Sequence, residues 1–204
     1  MRSADIVTAI RVALVFVIGY MIIAKLSAAL IVLLFVITFV MDNLDGYLAT
    51  SRRPSIANFA SYINKEARGT ETRKDRNALK PPKYGAALDI AGDRITEYVF
   101  WIIFTWLNVI PIYVVFIILT RNSLADALTS SKGKTFSKMK SSFGRIASSH
   151  ISRGLYGAIK ALNFIYLSLV FVAGWPIWIG YVLTAVVVAY SLLRGAAEIS
   201  EALA

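Results

Sequence analysis

The most constraining feature of this 204-residue chain is a succession of apolar runs, each close to the length that crosses a bilayer. A helix needs about 20 mostly apolar residues to cross the hydrocarbon core. With 57% hydrophobic residues, the chain is predicted to be a single-domain (1–204), all-α integral membrane protein. Six transmembrane helices are predicted, at residues 6–25, 26–50, 85–107, 109–128, 148–174 and 176–198.

A segment of different character, residues 51–84, separates the second and third runs. It carries nine of the chain's 22 lysines and arginines. Its first half places Ile56, Phe59, Tyr62 and Ile63 at helical spacing, which predicts an amphipathic helix on the membrane surface. We interpret this segment as an inserted basic cytoplasmic loop and not as a separate domain.

The distribution of basic residues predicts the orientation in the membrane. The segments 51–84 and 129–147 carry nine and five lysines or arginines, whereas the three short connections carry only Lys25. One of those connections is predicted to be a tight turn by Asn108 and Pro111. Because cytoplasmic loops carry the excess of positive charge, both termini are predicted to face the cytoplasm, in a multi-pass protein of the cell (inner or plasma) membrane. The same rule explains the net charge of +10, and no nucleic-acid motif is present, so nucleic acid is excluded as a partner.

Two pairs of aspartates lie at the cytoplasmic ends of the second and third runs. Asp42 and Asp45 are three residues apart and Asp89 and Asp93 are four apart, so each pair shares one helix face. A charged side chain at the bilayer centre costs roughly 2.5–3.5 kcal/mol on insertion scales. Four carboxylates on facing helices therefore predict a bound cation between them.

The donor set selects the type of cation. The chain has no cysteine and one histidine, His150, so the ligands are oxygens and the preferred ion is Mg²⁺, with Mn²⁺ or Ca²⁺ after it. Four aspartates can hold two such ions, as in two-metal phosphoryl-transfer sites. Gly46, Gly85 and Gly92 lie on the same stretches, where glycines either allow close helix packing or admit a substrate. Beside four aspartates we favour the second interpretation. Arg11, inside the first run, has as its simplest explanation a side chain that reaches up to the interface. Glu97, one turn past Asp93, is expected to pair with Arg94 or Arg11 and not to bind metal.

These residues resemble the signature of the CDP-alcohol phosphotransferase (class I phosphatidyltransferase) family, Asp-x-x-Asp-Gly-x-x-Ala followed by Gly-x-x-x-Asp-x-x-x-Asp. Within that family the chain is most similar to members that make phosphatidylglycerophosphate or phosphatidylinositol phosphate. The stretch from Thr8 to Arg11 also resembles the family's opening, so the resemblance covers nearly the whole chain. Seven signature residues are present: Asp42, Asp45, Gly46, Ala49, Gly85, Asp89 and Asp93.

Two features depart from the family pattern. Thr50 stands where the family has an arginine directly after the alanine. The segment 51–84 separates two blocks that the family usually keeps much closer, although the entropy of closing a loop grows only slowly with its length. Arg53, just beyond Thr50, is our candidate for the missing charge.

The resemblance implies a Mg²⁺-dependent enzyme of phospholipid biosynthesis. It would transfer a phosphatidyl-type group from a CDP-linked lipid to the hydroxyl of a small polar alcohol, with release of CMP. Asp93 would be the general base and a metal ligand. The other metal ligands would be Asp42, Asp45 and Asp89, and the residues that line the nucleotide site would be Gly46, Ala49, Gly85 and Arg53.

The resemblance also suggests the acceptor and the assembly. Arg121 and Arg153, at the cytoplasmic ends of the fourth and fifth runs, resemble positions that bind a phosphorylated acceptor. Glycerol 3-phosphate is the first choice and inositol phosphate the second. Relatives are homodimers, so a homodimer is expected among membrane lipids.

Two other functions fit intramembrane carboxylates. A divalent-cation transporter or channel is one, because such carboxylates commonly mark ion pathways. A pathway needs polar residues through its depth, whereas residues 30–39 and 109–119 are almost purely apolar. A scaffold held by structural metal is the other, and it leaves the glycines unexplained. We therefore favour the enzyme.

Overall fold

The protein is described from a computed structural model, which defines residues 3–50, 85–131 and 150–203. Its described part is helical apart from the short connections between helices. The six helices are α1 (Ser3–Ile23), α2 (Ala28–Thr50), α3 (Gly85–Trp106), α4 (Ile112–Ser131), α5 (His150–Ala173) and α6 (Ile177–Leu203). The surface helix and basic loop predicted within 51–84 lie outside the described residues.

Three of the described helices are long and apolar enough to cross a membrane. These stretches are Ile6–Ile23, Gly154–Ala173 and Ile177–Ser200, and Ala28–Asp42 in α2 is a shorter apolar stretch. The all-helical prediction is therefore confirmed, together with helices suited to a membrane. The number of crossings and the side on which the termini lie stay predictions.

Tight turns close one end of the bundle. Lys25 and Asn108, each the second residue after its helix (α1 and α3), and Gly174, directly after α5, have positive φ values of 50°, 56° and 72°. The backbone N–H of Val109 donates to the carbonyl of Phe104 at 2.9 Å, which is the bond that closes a left-handed helix cap. The tight turn predicted at Asn108 is thus present, and consecutive helices joined by these turns run antiparallel.

Aromatic side chains fill the core between α2, α3 and α5. The ring of Phe100 lies 4.7 Å from that of Phe35 and 5.2 Å from that of Phe164, centroid to centroid. Trp101 meets Phe164 edge-on at 4.9 Å. Such pairs stabilise by about 0.5–1.5 kcal/mol beyond the burial of their surface. They fix how α3 is rotated against its neighbours, and therefore which way its polar residues face.

The ion-paired side chains lie between the middle of the bundle and the end opposite the turns. That end is formed by the starts of α1, α3 and α5 and by the far ends of α2, α4 and α6. The ion pairs described there involve Arg11, Asp42, Asp93, Arg94, Glu97, Arg121, Asp126, Lys160 and Glu198. One end of the molecule is thus polar inside, while the other is packed with apolar side chains.

Candidate functional site

Arg11 joins the two acidic stretches. It projects from α1, with only 3% of its side chain exposed. Its Nη1 makes an ion pair with Oδ1 of Asp42 on α2, and its Nη2 lies 2.9 Å from Oδ1 of Asp93 on α3. A single guanidinium therefore holds one carboxylate from each half of the signature.

Gly92 makes this arrangement possible. A Cβ placed on Gly92 would lie 2.8 Å from Cγ2 of Thr8 and 3.2 Å from Nη2 of Arg11. Because a glycine stands there, α1 approaches α3 closely enough for Arg11 to reach both aspartates. We expected Gly92 to admit a substrate, but it packs against α1.

The position of Arg11 differs from our simplest expectation. An arginine that reaches up to the interface buries its stem and keeps its charged head in water. The head of Arg11 instead lies between two carboxylates and is almost fully buried. The signal that could have revealed this was its charge inside an apolar run, because such residues usually face the bundle interior and pair with one another.

Asp42 and Asp93 keep an open side. Their side chains are 47% and 52% exposed, although both contact Arg11. Accessible carboxylate oxygens are the ligands that Mg²⁺ prefers, and these two carboxylates are held by the same guanidinium, so the two residues fit the predicted ion. No group of three or more acidic, histidine or cysteine side chains gathers within the part of the chain that the structure describes. Asp45 and Asp89 belong to α2 and α3, but their side chains lie outside that part.

The other predicted site residues fall mostly outside the described side chains. Gly46 and Ala49 belong to α2, Gly85 begins α3 and Arg153 lies in the first turn of α5. Arg53 lies outside the described residues altogether. The assignments of these five positions to the nucleotide or the acceptor stay predictions.

Arg121 lies in the interface between α4 and α6. Its Nη2 is 2.7 Å from Oε1 of Glu198, its Nε donates to the carbonyl of Ser191 at 3.0 Å, and its Nη1 donates to Oδ1 of Asn122 at 2.9 Å. A Cβ on Gly195 would lie 2.6 Å from Nε of Arg121, so α6 has no side chain where the arginine passes. Arg121, which was predicted to bind the acceptor, is thus buried and bonded to other groups of the protein.

Glu97, one turn beyond Asp93 on α3, is the centre of a second cluster, which we call the Glu97 cluster. It is 1% exposed and contacts five polar side chains. The contacts are with Nζ of Lys160 at 3.3 Å, the hydroxyl of Tyr156 at 3.3 Å, Nδ2 of Asn122 at 3.4 Å, and both Nη1 of Arg94 and Nε1 of Trp101 at 3.5 Å.

The Glu97 cluster was only partly foreseen. Pairing of Glu97 with Arg94 or Arg11 was expected, and the contact with Arg94 is present. Arg94 also makes a two-bond pair with Asp126 on α4, with N–O distances of 2.7 and 2.8 Å. Lys160 and Tyr156 were missed because they are about 60 residues away along the chain. The cluster ties α3 to α4 and α5 and so fixes the helix that carries Asp93.

Comparison with known proteins gave no match, whether with family models, with curated proteins or with solved structures. The resemblance to the CDP-alcohol phosphotransferases therefore rests on the seven signature residues and on the site in which two of them meet.

Proposed function

We propose that the protein is a membrane enzyme of the CDP-alcohol phosphotransferase type. It would transfer a phosphatidyl-type group from a CDP-linked lipid to the hydroxyl of a small polar alcohol and release CMP. The observation that carries the proposal is the contact of Arg11 with both Asp42 and Asp93. A signature divided between two helices can act only if its two parts meet, and this contact supports such a meeting.

The proposed membrane arrangement has six crossings, with both termini and the site on the cytoplasmic side of the cell membrane. Support comes from the charge distribution, because the basic segments 51–84 and 129–147 join helices at the polar end of the bundle. The turns at the opposite end carry only Lys25. A water-soluble nucleotide product would then leave directly into the cytoplasm.

The proposed cofactor is Mg²⁺, with two ions expected. The side chains that would hold it are Asp42, Asp45, Asp89 and Asp93, all of which offer hard oxygen donors. When bound, it would neutralise charge on the diphosphate of the CDP-linked lipid. Asp42 and Asp93 support this part of the proposal because about half of each side chain is exposed.

In the proposed reaction, Asp93 takes a proton from the acceptor. The hydroxyl oxygen of the alcohol attacks the phosphorus that carries the lipid, and a new P–O bond forms as the bond to CMP breaks. The hydroxyl proton passes to the carboxylate of Asp93, and CMP leaves with the bonding electron pair. The open side of Asp93 supports this role, since a general base must reach the proton that it removes.

The remaining roles follow the resemblance. Gly46, Ala49 and Gly85 would leave space for cytidine, with Arg53 near the phosphates. Arg153 and Arg121 would contact a phosphorylated acceptor, with glycerol 3-phosphate first and inositol phosphate second. Arg121 would have to exchange its partner Glu198 for that phosphate, so Arg153 is the better candidate of the two.

The test is CMP release by the purified protein in lipid vesicles. Labelled CDP-linked lipids, both ester and ether, are supplied with Mg²⁺ and a panel of acceptors: glycerol 3-phosphate, inositol phosphate, inositol and serine. We expect CMP release that requires both Mg²⁺ and one acceptor. A matched control is Asp126→Asn, which removes a half-exposed carboxylate at the same end but outside the signature and should retain most of the activity. No CMP with any acceptor would contradict the proposal, and uptake of Mn²⁺ into the vesicles without CMP release would favour a transporter.

A further inference from the structure

The charge of Arg11 already occupies the place where the two acidic stretches meet. Its side chain is 3% exposed, and each of its two Nη atoms faces a different aspartate. The guanidinium therefore offsets one of the two negative charges that Asp42 and Asp93 bring together. A divalent cation that binds the same carboxylates meets a resident cation of the protein.

The local packing keeps this cation in place. Nη2 of Arg11 runs past Gly92, where any side chain would stand 3.2 Å from it. Val12 and Thr8 of α1 lie against the same glycine. The contact of α1 with α3 thus directs the guanidinium of Arg11 at the carboxylates. Arg11 is therefore positioned by helix packing and is not a mobile surface side chain.

We propose that Arg11 is a built-in counter-ion of the carboxylate site. By its charge it holds the ends of α1, α2 and α3 together, and it competes with divalent metal for Asp42 and Asp93. Metal binding then weakens the ion pairs of Arg11 with the two aspartates, and the bound metal ion joins α2 to α3 in their place. The inference rests on the Mg²⁺ site of the proposed function.

The competition has a definite sign. Two aspartates with Arg11 carry a net charge of −1, and without it they carry −2. At an effective dielectric constant near 20, unit charges a few ångströms apart interact strongly enough to change an affinity by about tenfold or more. Removal of the charge of Arg11 should therefore tighten metal binding, whereas loss of an ordinary structural residue would weaken it or leave it unchanged.

The experiment compares wild type with Arg11→Gln and Arg11→Lys in neutral detergent. Glutamine keeps hydrogen-bond donors but loses the charge, and lysine keeps the charge. Binding of Mn²⁺ is followed by the loss of the free-ion signal in electron paramagnetic resonance. We expect Arg11→Gln to bind Mn²⁺ at least about tenfold more tightly than wild type, because the competing cation is gone. Arg11→Lys should stay within a few-fold of wild type, and Asp93→Asn should bind more weakly than both.

Thermal unfolding gives a second readout, with EDTA or with Mn²⁺. Arg11→Gln should unfold at a lower temperature than wild type in EDTA and recover to the wild-type value with Mn²⁺, because the metal replaces the missing charge. Equal loss of stability in both conditions, with unchanged Mn²⁺ affinity, would show that Arg11 has only a structural role and would contradict the inference. A variant that does not fold even with Mn²⁺, or wild-type and variant proteins that bind no Mn²⁺, would also overturn the inference. CMP release is scored separately: Mn²⁺ binding as expected without CMP release counts against the proposed function alone.

Discussion

Two carboxylates one turn apart on α3 have opposite environments. Asp93 is half exposed and shares the guanidinium of Arg11 with Asp42. Glu97 is almost fully buried, and five polar side chains from α3, α4 and α5 surround it. A carboxylate whose oxygens are all engaged has no free acceptor and no space left for a substrate, whereas a half-exposed carboxylate has both. The comparison separates a carboxylate suited to chemistry from one that holds helices together.

The two environments also predict different costs of substitution. Removing one partner from a buried ion pair leaves the other charge uncompensated, which costs about 3–5 kcal/mol of stability. An ion pair that is open to solvent is screened, and its loss typically costs about 1 kcal/mol or less. Asp93 should therefore matter more to the reaction rate than to stability, and Glu97 the reverse.

The largest effect is expected for Asp93→Asn on the rate of CMP release. Removal of a general base typically lowers a rate by about 10²–10⁴-fold, and asparagine cannot accept the acceptor's proton. At saturating Mg²⁺, binding of the CDP-linked lipid should be mostly retained, because three other aspartates still offer oxygens to the metal. The unfolding temperature should change little, because Asp93 is half exposed. Steady-state CMP release, lipid binding and thermal unfolding measure the three quantities. A near-normal rate would show that Asp93 is not the base.

The second prediction concerns Glu97→Gln, which should lower the free energy of unfolding by about 3–5 kcal/mol. The change leaves Lys160 beside a neutral amide in a buried cluster. The double variant Glu97→Gln with Lys160→Met removes both charges and should recover part of that loss, because no uncompensated charge remains. Unfolding in mixed detergents measures both variants. If the single and double variants are equally unstable, the Glu97–Lys160 contact is not what stabilises the cluster.

Some features of the fold and of the candidate site could be predicted from the sequence, and others could not. The positions of all six helices follow from the apolar runs, and the turn at Asn108 follows from its residue type. That the two acidic stretches lie at the same side of the bundle follows from their places at the ends of consecutive apolar runs. The charge of Arg11 inside an apolar run indicated a buried and paired side chain. The particular partners of Arg11 and of Glu97 could not be predicted, because each depends on how the helices are rotated against one another. Aromatic packing around Phe164 sets that rotation, and no periodic pattern encodes it.

The third prediction concerns Gly92→Ala, which should disturb the surroundings of Asp93 and leave the Glu97 cluster intact. The new Cβ would stand 2.8 Å from Thr8 and would push α1 away from α3, which loosens the contact of Arg11 with Asp93. Overpacking of this kind typically costs about 1–3 kcal/mol. The rate of CMP release should fall as the contact of Arg11 with Asp93 loosens, while the Glu97 cluster keeps its contacts. The matched control is Gly157→Ala on α5, where a Cβ would meet nothing within 4 Å. If the two alanine variants behave alike, close approach of α1 at Gly92 is not required.

The smallest effect is expected at the acceptor side, for Arg153→Ala. Loss of one phosphate contact should raise the KM for glycerol 3-phosphate about tenfold, which corresponds to about 1.4 kcal/mol, and leave kcat nearly unchanged. Arg121→Ala should behave differently, because it leaves Glu198 buried without its arginine and so lowers stability first. KM and unfolding temperature are measured for both variants. A higher KM for Arg121→Ala without a loss of stability would make Arg121 the better acceptor-binding candidate. It would mean that the bond of Arg121 to Glu198 opens for the acceptor.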